Sequence, residues 1–274
     1  MRKLVSFVVL VLVLSSCSEY QKVLKKEDVK AKYELAQQFY EAGDFKRANR
    51  LFEQIAPKYV GKPQGERVMF FYANTYFELK DFNMAGYQFE RFIKSYAKSG
   101  KVQEAAFLGA KSYYMLSPLH SLDQTDTDKA LVKLQSFINT YPDSEYFAEA
   151  NIMAKELTTK KERKAFEIAK QFNKIGHFDF SFLTPSMAAF DNFISDYPGS
   201  IYREDALFLK FESAAEYGLN SFSKFKAERL ENAKAAYNAL KRQFPDTKYE
   251  EEAAKLLEKI EKDSNNTFVE QETK

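Results

Sequence analysis

The sequence predicts an all-α protein, an α-solenoid of about five helix pairs closed by a C-terminal capping helix. From Val29 onward, apolar residues recur at spacings of three and four, which is the period of an amphipathic helix. The 274 residues include only nine Gly and seven Pro, too few for the many tight turns of an all-β fold. One sequence pattern also recurs along the chain, as FINTYPDSEYFAEA at 137–150 and FISDYPGSIYREDA at 193–206. Weaker matches to this repeated phrase lie at 92–105 and 240–253.

The repeated phrase has the composition of a joint between two helices. Its Pro cannot continue a helix, and the residue before Pro is pushed out of helical geometry. The Asp or Ser that follows can accept hydrogen bonds from the free N–H groups at the start of the next helix, and the Ala lets helices approach closely. A catalytic motif normally occurs once in a chain, so the recurrence of this pattern favours a structural role.

The helix pairs follow a recognisable pattern of small and aromatic residues. In the first pair, Ala36 and Phe39 precede a Gly43-Asp44-Phe45 turn, and Ala48 and Phe52 follow it. This order resembles the tetratricopeptide repeat, whose period is about 34 residues. Corresponding positions recur in four further units, around Ala73, Ala110, Ala169 and Ala214. We therefore predict five tetratricopeptide-like pairs within residues 28–263, with the last helix, from Tyr249 to about Asp263, as the cap.

Three insertions and a polar tail interrupt the regular pattern. The insertions lie in the third, fourth and fifth units, at 117–128, 179–185 and 220–231. In the first of these we expect Thr125 or Asp126 to cap a helix that begins near Lys129. Residues 264–274 are predicted to be a disordered tail.

The N-terminus has the composition of a lipoprotein leader. A short basic start precedes an apolar run that is too short to span a bilayer, so residues 1–16 are predicted to be a signal peptide. The run ends in Leu-Ser-Ser-Cys, which resembles the bacterial lipobox, and Cys17 is the only cysteine of the chain. We therefore predict lipidation of Cys17, followed by a lipidated, polar and flexible tether at 17–27.

No combination of residues in the sequence indicates catalysis. His120 and His177 stand apart, and with a single Cys they cannot supply the usual zinc ligands. The acidic residues near 123–128 have the wrong spacing for a calcium loop, and phosphate-binding and nucleophile motifs are missing. The formal net charge of +2 has no blocks of one sign, which gives no support to nucleic-acid binding. We expect no enzymatic activity, no cofactor and no metal.

A second set of residues recurs on the first helix of each of the first three pairs, at positions expected to face a common groove. The set is Tyr33, Gln37, Tyr40, Phe70, Asn74, Phe77, Phe107, Lys111 and Tyr114. Such a surface suits an extended peptide that carries aromatic side chains and a terminal carboxylate, with Asn74 and Lys111 as polar anchors. The alternative is that the N-terminal tether or an inserted loop covers this groove.

The lipobox, the number of helix pairs, the Tyr-Pro-x-Ser joints and the LDQTDT sequence at 122–127 together resemble the BamD family of outer-membrane assembly lipoproteins. The resemblance covers nearly the whole chain, from Cys17 to about residue 263. It implies a non-enzymatic scaffold, lipid-anchored at the periplasmic face of the outer membrane, in the complex that inserts β-barrel proteins. It also implies that the C-terminal repeats dock the periplasmic domains of BamA, where Arg203, Glu204 and 220–231 offer polar surface. The N-terminal repeats would face unfolded barrel proteins, and other subunits of the complex would be further partners.

Two other functions fit parts of the sequence. A tetratricopeptide-repeat lipoprotein could coordinate cell-envelope or division proteins, although such proteins often add a coiled-coil segment, which this sequence lacks. A lytic transglycosylase with a solenoid arm would need a separate catalytic domain, and no residues remain to build one.

Overall fold

The computed structural model describes residues 19–272, with side chains to residue 265, and all secondary structure within this range is helical. The all-α prediction is confirmed. The helices of the first half are α1 (19–25), α2 (Val29–Glu41), α3 (Phe45–Tyr59), α4 (Gly65–Glu78), α5 (Phe82–Ser95), α6 (Val102–Leu116) and α7 (Thr125–Thr140). Those that follow are α8 (Phe147–Gly176), a 3-10 turn (Phe180–Phe182), α9 (Leu183–Asp196), α10 (Arg203–Leu219), α11 (Ser223–Gln243) and α12 (Glu250–Glu272).

The described chain divides into two compact units. The first unit holds residues 19–118 and 122–157, and the second holds residues 119–121 and 158–272. The long helix α8 therefore contributes to both units, with the division after Leu157. The sequence had suggested a single repeat domain over 28–263, and nothing in the periodicity of α8 marks this boundary.

Aspartates start the helices that follow the tight turns. The side chains of Asp28, Asp44 and Asp81 accept hydrogen bonds from backbone N–H groups three residues further on, at 3.0, 3.1 and 3.2 Å. The residue before each of the last two aspartates has a left-handed backbone, with φ of 75° at Gly43 and 61° at Lys80. The Gly-Asp pattern thus ends one helix and caps the next, as the sequence predicted for the turn at Asp44.

The first unit is a stack of antiparallel helix pairs. The helices of each pair contact each other, as in α2–α3, α4–α5 and α6–α7, and the first helices of neighbouring pairs also touch. Phe52, Phe89 and Phe92 are fully buried between the layers, while Ala36 and Ala73 are fully buried at small positions in the stack. These are the aromatic and small positions expected from the repeat pattern.

The Tyr-Pro phrases are joints, as predicted. Helices α7 and α9 end immediately before Tyr141 and Tyr197, and each of these tyrosines precedes a Pro. The Ser144 hydroxyl then accepts a hydrogen bond from the N–H of Tyr146, at 3.3 Å, as the chain enters α8. Ser200 has the same role before α10.

The second unit has a core of its own and a buried polar network. Phe211, Leu230 and Ile260 are fully buried among α10, α11 and α12. The amide of Asn173 donates to the hydroxyl of Ser213 at 3.0 Å, inside the unit. Because a buried amide without a partner would be costly, this bond fixes the position of the last turns of α8 against α10.

The structure differs from the sequence prediction at both ends of the chain. Within the predicted tether, residues 19–25 form helix α1, and the ring of Tyr20 packs edge-on against Phe39 at 5.6 Å, so this part is ordered by core contact. Helix α12 continues to Glu272, so the prediction of a disordered tail from residue 264 is wrong as far as the described residues extend. Cys17, its predicted lipidation and the predicted signal peptide lie outside the described residues.

The predicted insertions at 117–128 and 220–231 are also shorter than expected. Helix α7 begins at Thr125 rather than near Lys129, and neither Thr125 nor Asp126 caps it. The carboxylate of Asp123 instead accepts the N–H of Thr125 at 2.9 Å. In the last insertion, α11 already begins at Ser223, so most of 220–231 is helix.

Candidate peptide-binding surface

The candidate site lies in the first unit, on the side formed by the first helix of each pair. Helices α2 and α4 touch, α4 and α6 touch, and α6 reaches the start of α8 through the side chains of Lys111 and Tyr114. Each of these helices packs one face against the second helix of its pair. The remaining face carries side chains that are only partly buried, and these define the surface.

An aromatic ladder stands at the centre of this surface. The rings of Tyr40 and Phe71 are stacked, with centroids 4.2 Å apart and planes 19° from parallel. The guanidinium carbon of Arg67 lies 5.1 Å from the centroid of Phe71, within the range of a cation–π contact. The amide of Asn74 donates to the hydroxyl of Tyr40 at 2.6 Å. Burial raises the pKa of Tyr40, with the Asn74 bond opposing the shift, so the phenol is neutral and the ladder carries only the charge of Arg67.

A depression of about 400 Å³ opens beside the ladder. Its lining consists of Pro63, Glu66, Arg67, Phe70, Phe71 and Lys101. The two rings give it an apolar wall, and Arg67 and Lys101 place two cations at its edge. A volume in this range accommodates a bulky side chain with its neighbouring backbone.

The charged residues of the depression differ in how firmly they are held. Lys101 binds Glu104 at 2.6 Å, and this hydrogen bond raises the pKa of the lysine. Glu66 accepts the hydroxyl of Ser99 at 2.5 Å. Arg67 has only a 4.0 Å ion pair with Glu41, between two exposed side chains, and such pairs contribute little. Arg67 is therefore the cation most easily turned toward a bound anion.

Polar pairs close the surface toward α8. Lys111 forms an ion pair with Glu149 at 2.8 Å, and its ammonium lies 5.5 Å from the ring centroid of Phe107. The hydroxyl of Tyr114 donates to Glu156. That hydrogen bond, and secondly burial, raises the pKa of Tyr114 to about 12. These contacts join α6 to the first turns of α8. They also leave Lys111 less available than Arg67 for binding an anion.

The predicted groove residues are therefore only partly brought together. Tyr40 and Asn74 are in direct contact, as their placement on one face implied. Phe107 is a core residue with 3% of its surface exposed, so the expectation that it forms an open groove wall is wrong, whereas Phe70, although only 5% exposed, lines the depression. Phe107 is stacked on Tyr146 inside the unit.

The other predicted positions pack locally. The ring of Tyr33 lies 5.7 Å from that of Tyr59, and Phe77 packs edge-on against Phe82 at 5.6 Å. The Gln37 amide donates to Glu41 one turn further along α2. These three residues border the surface and do not meet at the depression.

Sequence reasoning missed Arg67, Phe71 and Lys101. One signal was available for the first two, because Arg67, Phe71 and Asn74 are spaced four and three residues apart on α4 and therefore share a face. Lys101 lies in the connection between α5 and α6, where no helical spacing could have placed it.

The predicted docking residues of the second unit have internal roles. Arg203 donates from Nε to Gln243 at 2.7 Å and from Nη1 to the backbone oxygen of Ile194 at 2.8 Å. Glu204 accepts from the hydroxyl of Thr247 at 2.7 Å and from the N–H of Lys248 at 2.8 Å. Both side chains are half-buried and bind neighbouring helices and joints of their own unit, and their predicted docking role stays a prediction.

Residues 19–265, whose side chains are described, contain no group of His, Cys, Asp and Glu that could hold a metal ion. In the same part of the chain, no helix combines the length and apolar character needed to cross a bilayer.

The stacked helix pairs are those of a helical-repeat protein, and a half-exposed aromatic surface lies on the first unit. A family model described as "YfiO: Outer membrane lipoprotein" matches residues 25–178, more than half of the chain. The protein therefore belongs to the YfiO family of outer membrane lipoproteins. No curated protein matches the chain. A solved structure from the computational design of self-assembling cyclic protein homo-oligomers is 14% identical over 100% of this chain and 99% of its own, with a TM-score of 0.24, too low to inform the fold.

Proposed function

We propose that this protein is a non-catalytic scaffold subunit of the complex that inserts β-barrel proteins into the outer membrane. It is held at the periplasmic face by lipid on Cys17, it binds C-terminal peptides of unfolded barrel proteins on its first unit, and it docks the periplasmic domains of BamA through its second. Membership of an outer membrane lipoprotein family supports the location and the general role. The surface of α2, α4 and α6 supports the peptide-binding part.

The observation that carries the peptide-binding proposal is the position of Arg67 beside two aromatic rings. A peptide that ends in an aromatic residue offers a carboxylate and a ring within a few ångströms of each other. The depression beside Phe70 and Phe71 is large enough for the ring, and the Arg67 guanidinium can bind the carboxylate through two parallel hydrogen bonds. The exposed Glu41 that now pairs with Arg67 would be displaced at little cost.

Peptide affinity measured on matched variants tests this arrangement. Arg67→Gln should weaken binding of a free-carboxylate peptide by about 1.5–3 kcal/mol, the range for hydrogen bonds to charged groups. The same change should leave an amidated peptide unaffected, because that peptide has no carboxylate to lose. Lys98→Gln is the control, since Lys98 is an exposed lysine in the connection that also carries Lys101. Equal losses for both peptides, or for both variants, would contradict a carboxylate site at Arg67.

A second variant tests the aromatic wall. Phe71→Ala removes the ring stacked on Tyr40 and should cost about 1–3 kcal/mol of peptide affinity if the ring is an anchor. Phe71 also contacts Phe52 in the core, so circular dichroism must first show that helical content is retained. Unchanged affinity in a folded Phe71→Ala protein would place peptide binding elsewhere.

The partner proposal is tested by co-purification through a tag after Lys274. Recovery of BamA with the tagged protein supports the assembly-complex role. Recovery of division or envelope-scaffold proteins without BamA would contradict the assembly-complex role. It would favour the alternative, a lipoprotein that coordinates cell-envelope or division proteins.

A further inference from the structure

The second unit carries a cluster of exposed phenylalanines, called here the phenylalanine patch. It consists of Phe178, Phe180, Phe222 and Phe225, which are 94%, 40%, 84% and 43% exposed. Single exposed apolar residues are common on protein surfaces, but contiguous ones mark a site of interaction. Phe178 lies in the turn after α8, Phe180 in the 3-10 turn, Phe222 at the N-cap of α11 and Phe225 in the first turn of α11.

Three of the four rings meet between the two connections. The first turn joins α8 to α9 and carries Phe178 and Phe180, and the second joins α10 to α11. The ring of Phe180 is stacked on Tyr217 of α10, with centroids 4.8 Å apart. Phe180, Phe222 and Phe225 together line one depression of about 570 Å³. These three rings form the base of the patch, and Phe178, almost fully exposed, lies two residues before Phe180.

Cations flank the rings. The ammonium of Lys224 lies 5.4 Å from the centroid of Phe225, and the guanidinium of Arg229 lies 5.0 Å from it. Lys226 follows and pairs with Asp263 at 2.7 Å. The acidic groups near the patch include Asp179, which accepts hydrogen bonds from Ser181, and Glu228 on the next turn of α11. They also include Glu216, which accepts from Asn220 at 2.9 Å, Glu212, which pairs with His177 at 3.6 Å, and Asp263.

The start of α11 carries an exposed ring and two lysines, Lys224 and Lys226. Phe222 occupies the N-cap without making a side-chain cap, and the first turn contains no acidic residue. Helix starts favour Ser, Thr, Asp or Asn at the cap and acidic residues in the first turn. Helices α2, α3 and α5 have a capping Asp at the start, whereas α4, α6, α7, α9 and α10 begin, like α11, without a side-chain cap. At α11 the same places are taken by an exposed ring and lysines.

We propose that the phenylalanine patch inserts into the headgroup region of an anionic phospholipid bilayer. Aromatic rings that enter the acyl boundary, beside cations that reach the phosphates, are the pattern of interfacial membrane binding. A protein of an outer membrane lipoprotein family works next to such a surface. The rings of Phe178 and Phe222 project almost fully into solvent, and a fluid bilayer accepts projecting rings without a matching pocket. This contact goes beyond the proposed function, since it would orient the second unit whether or not peptide or BamA is bound.

The absence of Trp from the chain makes a direct test possible. The protein is prepared from Ser18 onward, which keeps every described residue and omits the apolar leader that would itself enter vesicles. Phe178→Trp and Phe222→Trp each provide a single fluorophore. With vesicles of phosphatidylcholine and phosphatidylglycerol, both emissions should shift to the blue. Ile201→Trp, at a position 75% exposed on another turn of the unit, should not shift.

Vesicle co-sedimentation measures how much each side chain contributes to membrane partitioning. The double change Phe178→Ala with Phe222→Ala should weaken partitioning by about tenfold or more, since two buried rings are lost. Ile201→Ala is the matched control and should change partitioning by less than about twofold. Lys224→Gln should weaken binding only when phosphatidylglycerol is present, because its contribution is electrostatic.

Three results would overturn the proposal. The first is a blue shift that BamA periplasmic domains produce in the Phe178→Trp and Phe222→Trp proteins but that vesicles do not. This result would assign the patch to a protein partner. The second is a shift that depends on protein concentration without vesicles, which would assign it to a second copy of this chain. The third is equal vesicle binding by the double variant and by its Ile201→Ala control.

Discussion

Replacing Gly218 by Ala should destabilise the second unit, although Ala is the better helix former. Gly218 lies in α10, where the added Cβ would come within 2.8 Å of Leu230 Cδ2, 3.2 Å of the backbone N of Leu230 and 3.3 Å of the backbone C of Arg229. Two of these atoms belong to the backbone of α11, so a rotamer change cannot relieve the contact, and α11 itself must move. Such overpacking typically costs about 1–3 kcal/mol. The helix preference for Ala over Gly offsets about 1 kcal/mol, which leaves a net loss of about 1 kcal/mol.

Thermal unfolding followed by circular dichroism measures this effect. A loss of about 1 kcal/mol should lower the midpoint by about 2–4 °C for a chain of this size. Gly100→Ala is the control, because Gly100 has an ordinary φ and no heavy atom within 4 Å of a new Cβ. That change should leave stability unchanged or raise it by up to about 1 kcal/mol, through the unfolded state. If Gly218→Ala raised the midpoint as much as Gly100→Ala, α10 and α11 would not be packed as closely as the structure shows.

Three further predictions follow from other parts of the chain. Cys17→Ser should release the protein from the outer membrane on a high-salt wash, since the phenylalanine patch alone gives reversible contact; retention in the washed membrane pellet would show that something other than lipid holds it. Ala130→Leu in the first unit and Ala169→Leu in the second should each cost about 1–3 kcal/mol, because both positions are fully buried, and an unchanged melting midpoint would mean that the repeat register is wrong. Burial, and secondly the hydrogen bond to Glu90, raises the pKa of Tyr113 from 10.0 to about 12. The resulting stability is complete below pH 10 and is lost as the pH rises to about 12, so Tyr113→Phe should flatten that part of the alkaline unfolding curve, and an unchanged curve would contradict it.

The fold was predictable because the repeat positions are set by local chemistry. The Asp44 cap, the left-handed Gly43 and the small Ala48 each act within one turn or one helix crossing, so the sequence displays them directly. The extent of the helices was harder to predict. Residues 19–25 are polar enough to suggest a tether, yet Tyr20 becomes ordered through a contact with Phe39, which is distant in sequence.

The candidate site was less predictable because it depends on which side of a helix faces its partner. Phe70 and Phe71 are adjacent aromatics, and one residue on a helix corresponds to a rotation of about 100°. The prediction named Phe70, which lines the depression with only 5% of its surface exposed, and missed the neighbouring ring that is stacked on Tyr40. Helical periodicity cannot tell which of two adjacent aromatic residues faces the core. The packing of α4 against α5, where Phe70 contacts Phe89 and Phe92, determines that Phe70 is the ring directed to the core.

In the second unit the prediction of surface residues relied on polar side chains and overlooked the exposed apolar ones. Arg203 and Glu204 are charged, but they lie at a joint, where unpaired backbone groups need partners, and their hydrogen bonds are made inside the unit. The segment 220–231 is rich in charge, yet its most exposed large hydrophobic side chain is Phe222, at the N-cap of α11. In a repeat protein the joints use polar residues to satisfy the backbone. An almost fully exposed ring such as Phe222 is therefore a stronger indication of a binding surface than a charged residue whose hydrogen bonds are made inside the unit.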